Sequence, residues 1–263
     1  MTRLTVTGAL VAATALTAAP LAAQSQQGDQ TGGDQQEPAD PLSEAEVRPL
    51  TGWTYDSLYA DGMSADDFMA FEVRGSGGEE IGDMEDLLIS SEGEVVAIIA
   101  EVGGFWDIGD THVSVPYDEI EMDADAATVT VPVTEETVED YDFMQDAYAA
   151  GDIAEETVPG VDDADFVPRA WRVSELIGDY ARMREGDTFV NYGYVSDLIL
   201  KEGQVDAVVV QPMNAYGTGY RAYPYAGYEQ GWGWNPGSPY YDMPYDMEMR
   251  GELGDFDYDQ MGS

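Results

Sequence analysis

Few side chains in this chain are suited to chemistry. It contains one histidine, His112, no cysteine, and 53 Asp and Glu against 10 Lys and Arg. A Ser-His-Asp relay would have to be built around His112 alone, and no thiol exists to act as a nucleophile. Zinc sites with several His or Cys ligands are excluded by counting. Carboxylates are so abundant that a pair of them is no sign of glycoside hydrolysis, which requires two at a set separation across a cleft. One spacing resembles a cation loop: Asp255, Asp257 and Asp259 alternate like the first three ligands of a calcium loop. The sixth position is Gln260, where glycine is needed, and no glutamate follows to ligate bidentately. Weak divalent binding is the expectation there, and no built site. The glycines of Gly75 to Gly78 sit in a turn between strands, without the following helix that a phosphate cradle requires. These residues predict neither catalysis nor a cofactor.

The formal net charge of -43 at pH 7 makes nucleic acid and anionic membrane surfaces improbable partners. Lys201 is the one lysine. Two readings of the charge stand: adaptation to salty surroundings, or cation buffering by clustered carboxylates. On the first, added salt screens self-repulsion in the folded state. The melting temperature should then rise as sodium chloride goes from tens of millimolar to about 1 M, where the Debye length is about 3 Å. A flat or falling melting temperature would remove that reading.

The N-terminus sets the compartment. Arg3 precedes an Ala/Thr/Leu-rich run from Leu4 to Leu16, then Pro20 and the small residues Ala22 and Ala23. This is the pattern of a secretory leader cleaved near Ala23, with a retained membrane helix as the alternative. The chain is therefore expected in the periplasm or secreted, held together by packing without disulfides. Gln24 to Glu46 is rich in Gln, Gly, Asp and Pro and shows no hydrophobic period, as a disordered stretch does.

Ordered structure should begin near Trp53. SADDFMAF from Ser64 reads as one helical turn capped by Ser64, with Asp67 three residues on. Strand signals follow at 71–73, 81–89, 94–102, 112–117 and 127–133, separated by Gly and Asp. An internal repeat then emerges. IGDMEDLLISSEGEVVAIIAEV, from Ile81, is answered about 110 residues later by YGYVSDLILKEGQVDAVVV, from Tyr192. Gly82 and Gly193 each stand four residues before an Asp, Asp86 and Asp197. The acidic-Gly turns at Gly93 and Gly203 lead into apolar runs that contain Ala97 and Ala207. Val-Pro-Tyr around Pro116 is matched by Tyr-Pro-Tyr around Pro224. Each copy reads as a hairpin, which needs further strands to be stable alone. Ala97 and Ala207 are expected to face a narrow barrel interior.

These residues, with the Gly-rich loop from Gly103 to Gly109, resemble the PRC-barrel domain. The resemblance implies a compact β-barrel of about eighty residues whose family role is contact with other macromolecules, without catalysis. The fold class expected is all-β: two small PRC-like barrels joined by an acidic helical connector. The organisation expected is a signal peptide at 1–23, a disordered linker at 24–50, a first barrel at 51–137, the connector at 138–168, a second barrel at 169–228 and an aromatic, Gly-rich and acidic tail at 229–263. Two roles for the aromatic residues after Met213 stay open, a contact surface or a cover for the second barrel. The function expected is a protein-interaction or scaffolding element of the cell envelope, with an acidic cation-binding or buffering protein as the alternative.

Overall fold

The computed structural model describes residues 47–103, 111–134, 137–141, 170–227, 232–234 and 238–262. The leader, most of the linker, the Gly-rich loop beyond Gly103 and the connector beyond Tyr141 lie outside them. Of the expected connector, the described part is a 3-10 turn at Val138–Tyr141.

The chain is all-β with short helices. Two seven-stranded sheets account for the strands. The first half runs α1 (Asp56–Asp61), β1 (Met63–Ser64), α2 (Ala65–Met69), β2 (Glu72–Arg74), β3 (Glu80–Ile89), β4 (Val95–Val102), β5 (Thr111–Pro116), β6 (Glu121–Asp123) and β7 (Thr128–Thr130). The second runs β8 (Trp171–Arg172), α3 (Val173–Leu176), β9 (Tyr180–Glu185), β10 (Thr188–Lys201), β11 (Gln204–Pro212), β12 (Arg221–Pro224), β13 (Gly233–Trp234) and β14 (Tyr240–Asp246). Strand order is β5-β4-β3-β2-β7-β6 in one sheet and β12-β11-β10-β9-β14-β13 in the other. The orders are the same, down to the parallel pairing of β7 on β2 and of β14 on β9.

That correspondence revises the reading of the last 35 residues. The stretch read as a tail from 229 contains β13 and β14, and β14 holds in the second module the place that β7 holds in the first. Its Tyr-Tyr-Asp-Met-Pro-Tyr-Asp pattern does not show the β-branched run that marks a strand, which is why it was not evident in the sequence. Tyr241, Met243 and Tyr245 are buried, as are Tyr223, Trp232 and Trp234. The Tyr223 hydroxyl donates to that of Tyr192 at 3.0 Å, and Tyr245 donates to the Pro224 carbonyl at 3.1 Å. These rings therefore act as cover for the second module, with their polar ends satisfied.

The central hairpins form as the repeat requires. At the β10–β11 turn both Glu202 (φ 49°) and Gly203 (φ 77°) take positive φ, the backbone of a tight two-residue turn. At the β3–β4 turn Gly93 alone does so, at φ 89°. Residues of β4 then alternate between layers. Val95, Ile98, Ala100 and Val102 enter the main core, whereas Ala97 and Ile99 join Leu88 in a separate small cluster. In β11, Ala207 and Val209 likewise leave the main core and pack with Leu58, Ile199, Ala222 and Phe256.

Ala97 and Ala207 thus face away from the main core, contrary to expectation. Their small size has another cause: at Ala207, helix α1 and the Phe256 segment lie directly on the sheet. Both alanines are buried, Ala97 at 4% and Ala207 at 0% exposure. Ala207→Leu should cost roughly 1–3 kcal/mol by overpacking beneath Leu58. Glu94→Gln, at the turn, should stay within about 0.5 kcal/mol. Urea melts of the whole chain check this, and an Ala207→Leu variant that melts like the parent would mean that the cover on this face is loose.

Candidate functional site

The repeat's two aspartates are where the modules meet. In β3 the ladder to β4 shifts register between Met84 and Asp86, and in β10 the ladder to β11 shifts between Val195 and Asp197. A bulge at the same place in each copy turns the Asp side chain onto the outer layer, where it is paired across from Ile99 or Val209. Asp86 and Asp197 are 1% and 2% exposed.

What they bind comes from the opposite half of the chain. Strand β1, which leads into the first module, pairs with β10 of the second: Met63 opposes Leu200 and Ser64 opposes Ile199. Strand β8, which leads into the second module, pairs with β3 of the first: Arg172 opposes Leu88 and Trp171 opposes Ile89. The lead-in segments are exchanged. Each then starts a short helix over the other module's aspartate. Asp197 accepts from the Ser64 hydroxyl at 2.6 Å, the Asp66 amide at 3.3 Å and the Leu198 amide at 2.8 Å. Asp86 accepts from the Ser174 hydroxyl, from the Ser174 amide at 3.1 Å and from the Leu87 amide at 2.8 Å. Ser64 also caps α2 by accepting from the Asp67 amide at 3.2 Å, as its sequence position implied.

The hairpin turns complete the contact about the same local axis. Glu94 and Gln204 form an antiparallel bridge. The Val95 amide donates to Gly203, and the Val205 amide to Gly93, each at 2.8 Å. A Cβ on Gly93 would stand 2.6 Å from the Tyr225 ring, and one on Gly203 2.9 Å from the Tyr117 ring. The tyrosines following Pro116 and Pro224 therefore each cover the other module's turn. Ten residues of the repeat thereby acquire structural roles: Gly82 and Gly193 inside the central strands, Asp86 and Asp197 under the exchanged segments, Gly93 and Gly203 in the joined turns, Ala97 and Ala207 in the outer layer, and Pro116 and Pro224 before the covering rings.

The two aspartates differ electrostatically. The Arg172 guanidinium lies 3.9 Å from Asp86 Oδ2. Asp197 has the carboxylate of Asp66 nearby instead, and burial pushes its carboxyl up to about 6, with Ser64 acting against that shift and Asp66 adding to it. A folded-state value above the ordinary 3.8 means the folded form holds the proton more tightly than the unfolded form does. Its contribution to stability is complete below about pH 4 and is lost as pH rises to about 6. Asp197→Asn should flatten that part of the stability curve relative to the parent, as read by urea midpoints at pH 4, 5 and 6. An unchanged difference across that range would show that Asp197 titrates normally.

The residues singled out for catalysis or metal binding do not converge. His112 Nε2 lies 3.2 Å from Glu85 and 3.9 Å from Glu101 on a partly exposed strand face. Asp255 pairs with Arg221. Asp257 accepts from the Asp259 amide and from the Gln260 side chain, so its oxygens serve the local turn. Among the described residues no three His, Asp or Glu side chains are placed to hold a metal ion.

Ser64 and Ser174 were not evident as partners in the sequence. The signal was there at about the repeat spacing: Ser64-Ala65-Asp66-Asp67-Phe68 aligns with Arg172-Val173-Ser174-Glu175-Leu176, but the serine moves by two positions. A comparison with curated proteins gives no match for the chain. Residues 60–136, which include one exchanged segment and six of the seven strands of the first sheet, match the PRC-barrel domain.

Proposed function

We propose that this chain is an exported, non-catalytic interaction or scaffolding protein of the cell envelope, built from two PRC-barrel modules of which the second is a diverged copy. The observation that carries the reading is the reciprocal exchange of lead-in segments. It joins two like modules into one body and engages the repeat's buried carboxylates in structure, not in an open cleft. The matching strand orders, bulges and turn contacts support the second copy. The strongly acidic surface favours partners that are neutral or basic over nucleic acid or anionic lipid.

The whole chain with a C-terminal tag, expressed in a Gram-negative host, tests this. Expected are a mature N-terminus close to Gln24, recovery from the periplasm or medium, and co-purification of one stoichiometric envelope component after crosslinking in high salt. Recovery in the cytosol with the leader intact would overturn export, and a chain that crosslinks to nothing would overturn scaffolding. Saturable, stoichiometric calcium uptake in high sodium chloride would replace the reading by cation binding.

A further inference from the structure

A groove of about 420 Å³ lies where β10 and β11 meet the loop that follows β11. One wall is Tyr194, whose partner across β10 and β11 is Gln211. The other is the loop itself, with Asn214 and Thr218 on it, shaped by Gly217 (φ 144°) and Gly219 (φ 79°) in conformations that other residues rarely adopt. Pro212 and Met213 add apolar lining. The volume is in the range of ligand sites.

Two properties point to the ligand. Among the described residues that line the groove none carries a carboxylate, guanidinium or ammonium group, although the chain as a whole carries a net -43. The charges beside Gly219, those of Arg221 and Asp255, are paired with each other, so the complement is an uncharged molecule. The polar groups that are present, the amides of Gln211 and Asn214 and the hydroxyl of Thr218, each donate and accept, as sugar hydroxyls also do. Beside them stands an exposed ring. Tyr194 is 41% exposed, one of the three most exposed large apolar side chains described. Tyr194 is held by Tyr180, its cross-strand partner, with ring centroids 4.8 Å apart, and Tyr180 in turn contacts Tyr240 at 6.0 Å. A ring already fixed by its neighbours offers an apolar face at small entropic cost, suited to the C–H face of a pyranose.

We propose that this groove binds a neutral glycan, stacked on Tyr194 and hydrogen-bonded by Gln211, Asn214 and Thr218. A proline-rich peptide would share the aromatic contact, but it presents backbone acceptors with few donors and would leave the acceptor atoms of the groove unpaired.

The test is native affinity electrophoresis of the whole chain in gels containing dextran, a soluble β-glucan or a galactomannan, with anionic alginate and a proline-rich peptide as comparisons. Expected is retardation by at least one neutral polymer and none by alginate. Tyr194→Ala should weaken binding about tenfold, Tyr194→Phe should retain it, and Asn214→Ala should weaken it. Tyr194 and Asn214 are exposed, and thermal melts matching the parent would confirm that the variants fold. The proposal is overturned by absence of retardation in all neutral polymers, by a Tyr194→Ala variant that binds like the parent, or by Tyr194-dependent binding of the peptide alone. None of these outcomes bears on export or on the joining of the modules.

Discussion

Gly82→Ala is expected to destabilise the protein by about 3 kcal/mol, and Gly193→Ala by a similar amount. A Cβ built on Gly82 would stand 1.9 Å from the Glu101 carbonyl oxygen, and one on Gly193 2.3 Å from that of Gln211. Both obstacles are backbone atoms of the neighbouring strand, so relief requires the ladder to open, and no rotamer change can supply it. The strand pairs concerned, Gly82 with Val102 and Gly193 with Pro212, lie at the far ends of the two central hairpins. Gly251→Ala is the control: nothing lies within 4 Å of its added carbon, and its backbone is not left-handed. It should stay within about 0.5 kcal/mol of the parent. Urea melts of the whole chain make the comparison. If both strand variants melt with the control, the close approach of β3 to β4 and of β10 to β11 is not as described.

Asp86→Ala is the other large effect, expected at about 3 kcal/mol or more. Removing the carboxylate leaves the buried Leu87 amide without its acceptor, an orphaned donor that costs on the order of 1–3 kcal/mol, and breaks both bonds from Ser174 that hold the exchanged segment in place. Asp86→Asn keeps one acceptor oxygen and should cost less, about 1–2 kcal/mol. The exchange makes a sharper statement possible. Ser174 is 88 residues away along the chain, yet Asp86→Asn and Ser174→Ala should be non-additive by at least about 0.5 kcal/mol, as groups in one hydrogen-bond network are. Additive losses would mean that the two side chains do not share a bond.

What the sequence makes legible is local and repeated. Gly82, Asp86, Gly93 and their counterparts stand about 110 residues apart, because bulge, hairpin turn and close strand approach are properties of a few consecutive residues. What depends on distant partners is not legible there. Nothing near Ser64 says that its strand will pair with Ile199, and nothing near Ala207 says that α1 will lie over it in place of a barrel interior. β14 was overlooked because its tyrosines and methionines fill a core without a strand's usual alternation of β-branched residues. The groove at Tyr194 was invisible for a related reason: Gln211, Asn214 and Thr218 are ordinary surface residues until two glycines fold their loop against a strand.

The exchanged segments also determine when folding can finish. As the chain emerges N-terminus first, residues 60–136 arrive complete in sequence, but Asp86 must wait for Ser174, and Ser64 has no acceptor until Asp197 appears. Neither module has its full set of hydrogen bonds until the other half is present. Contacts that span 88 and 133 residues raise contact order and slow the final step. Until Ser174 arrives, the first sheet holds its Asp86 carboxylate without two of its donors. Synthesis and folding are therefore coupled: a chain halted between Tyr141 and Trp171 presents a first half without its Ser174 contacts, and the residues that follow supply the missing partners of both halves.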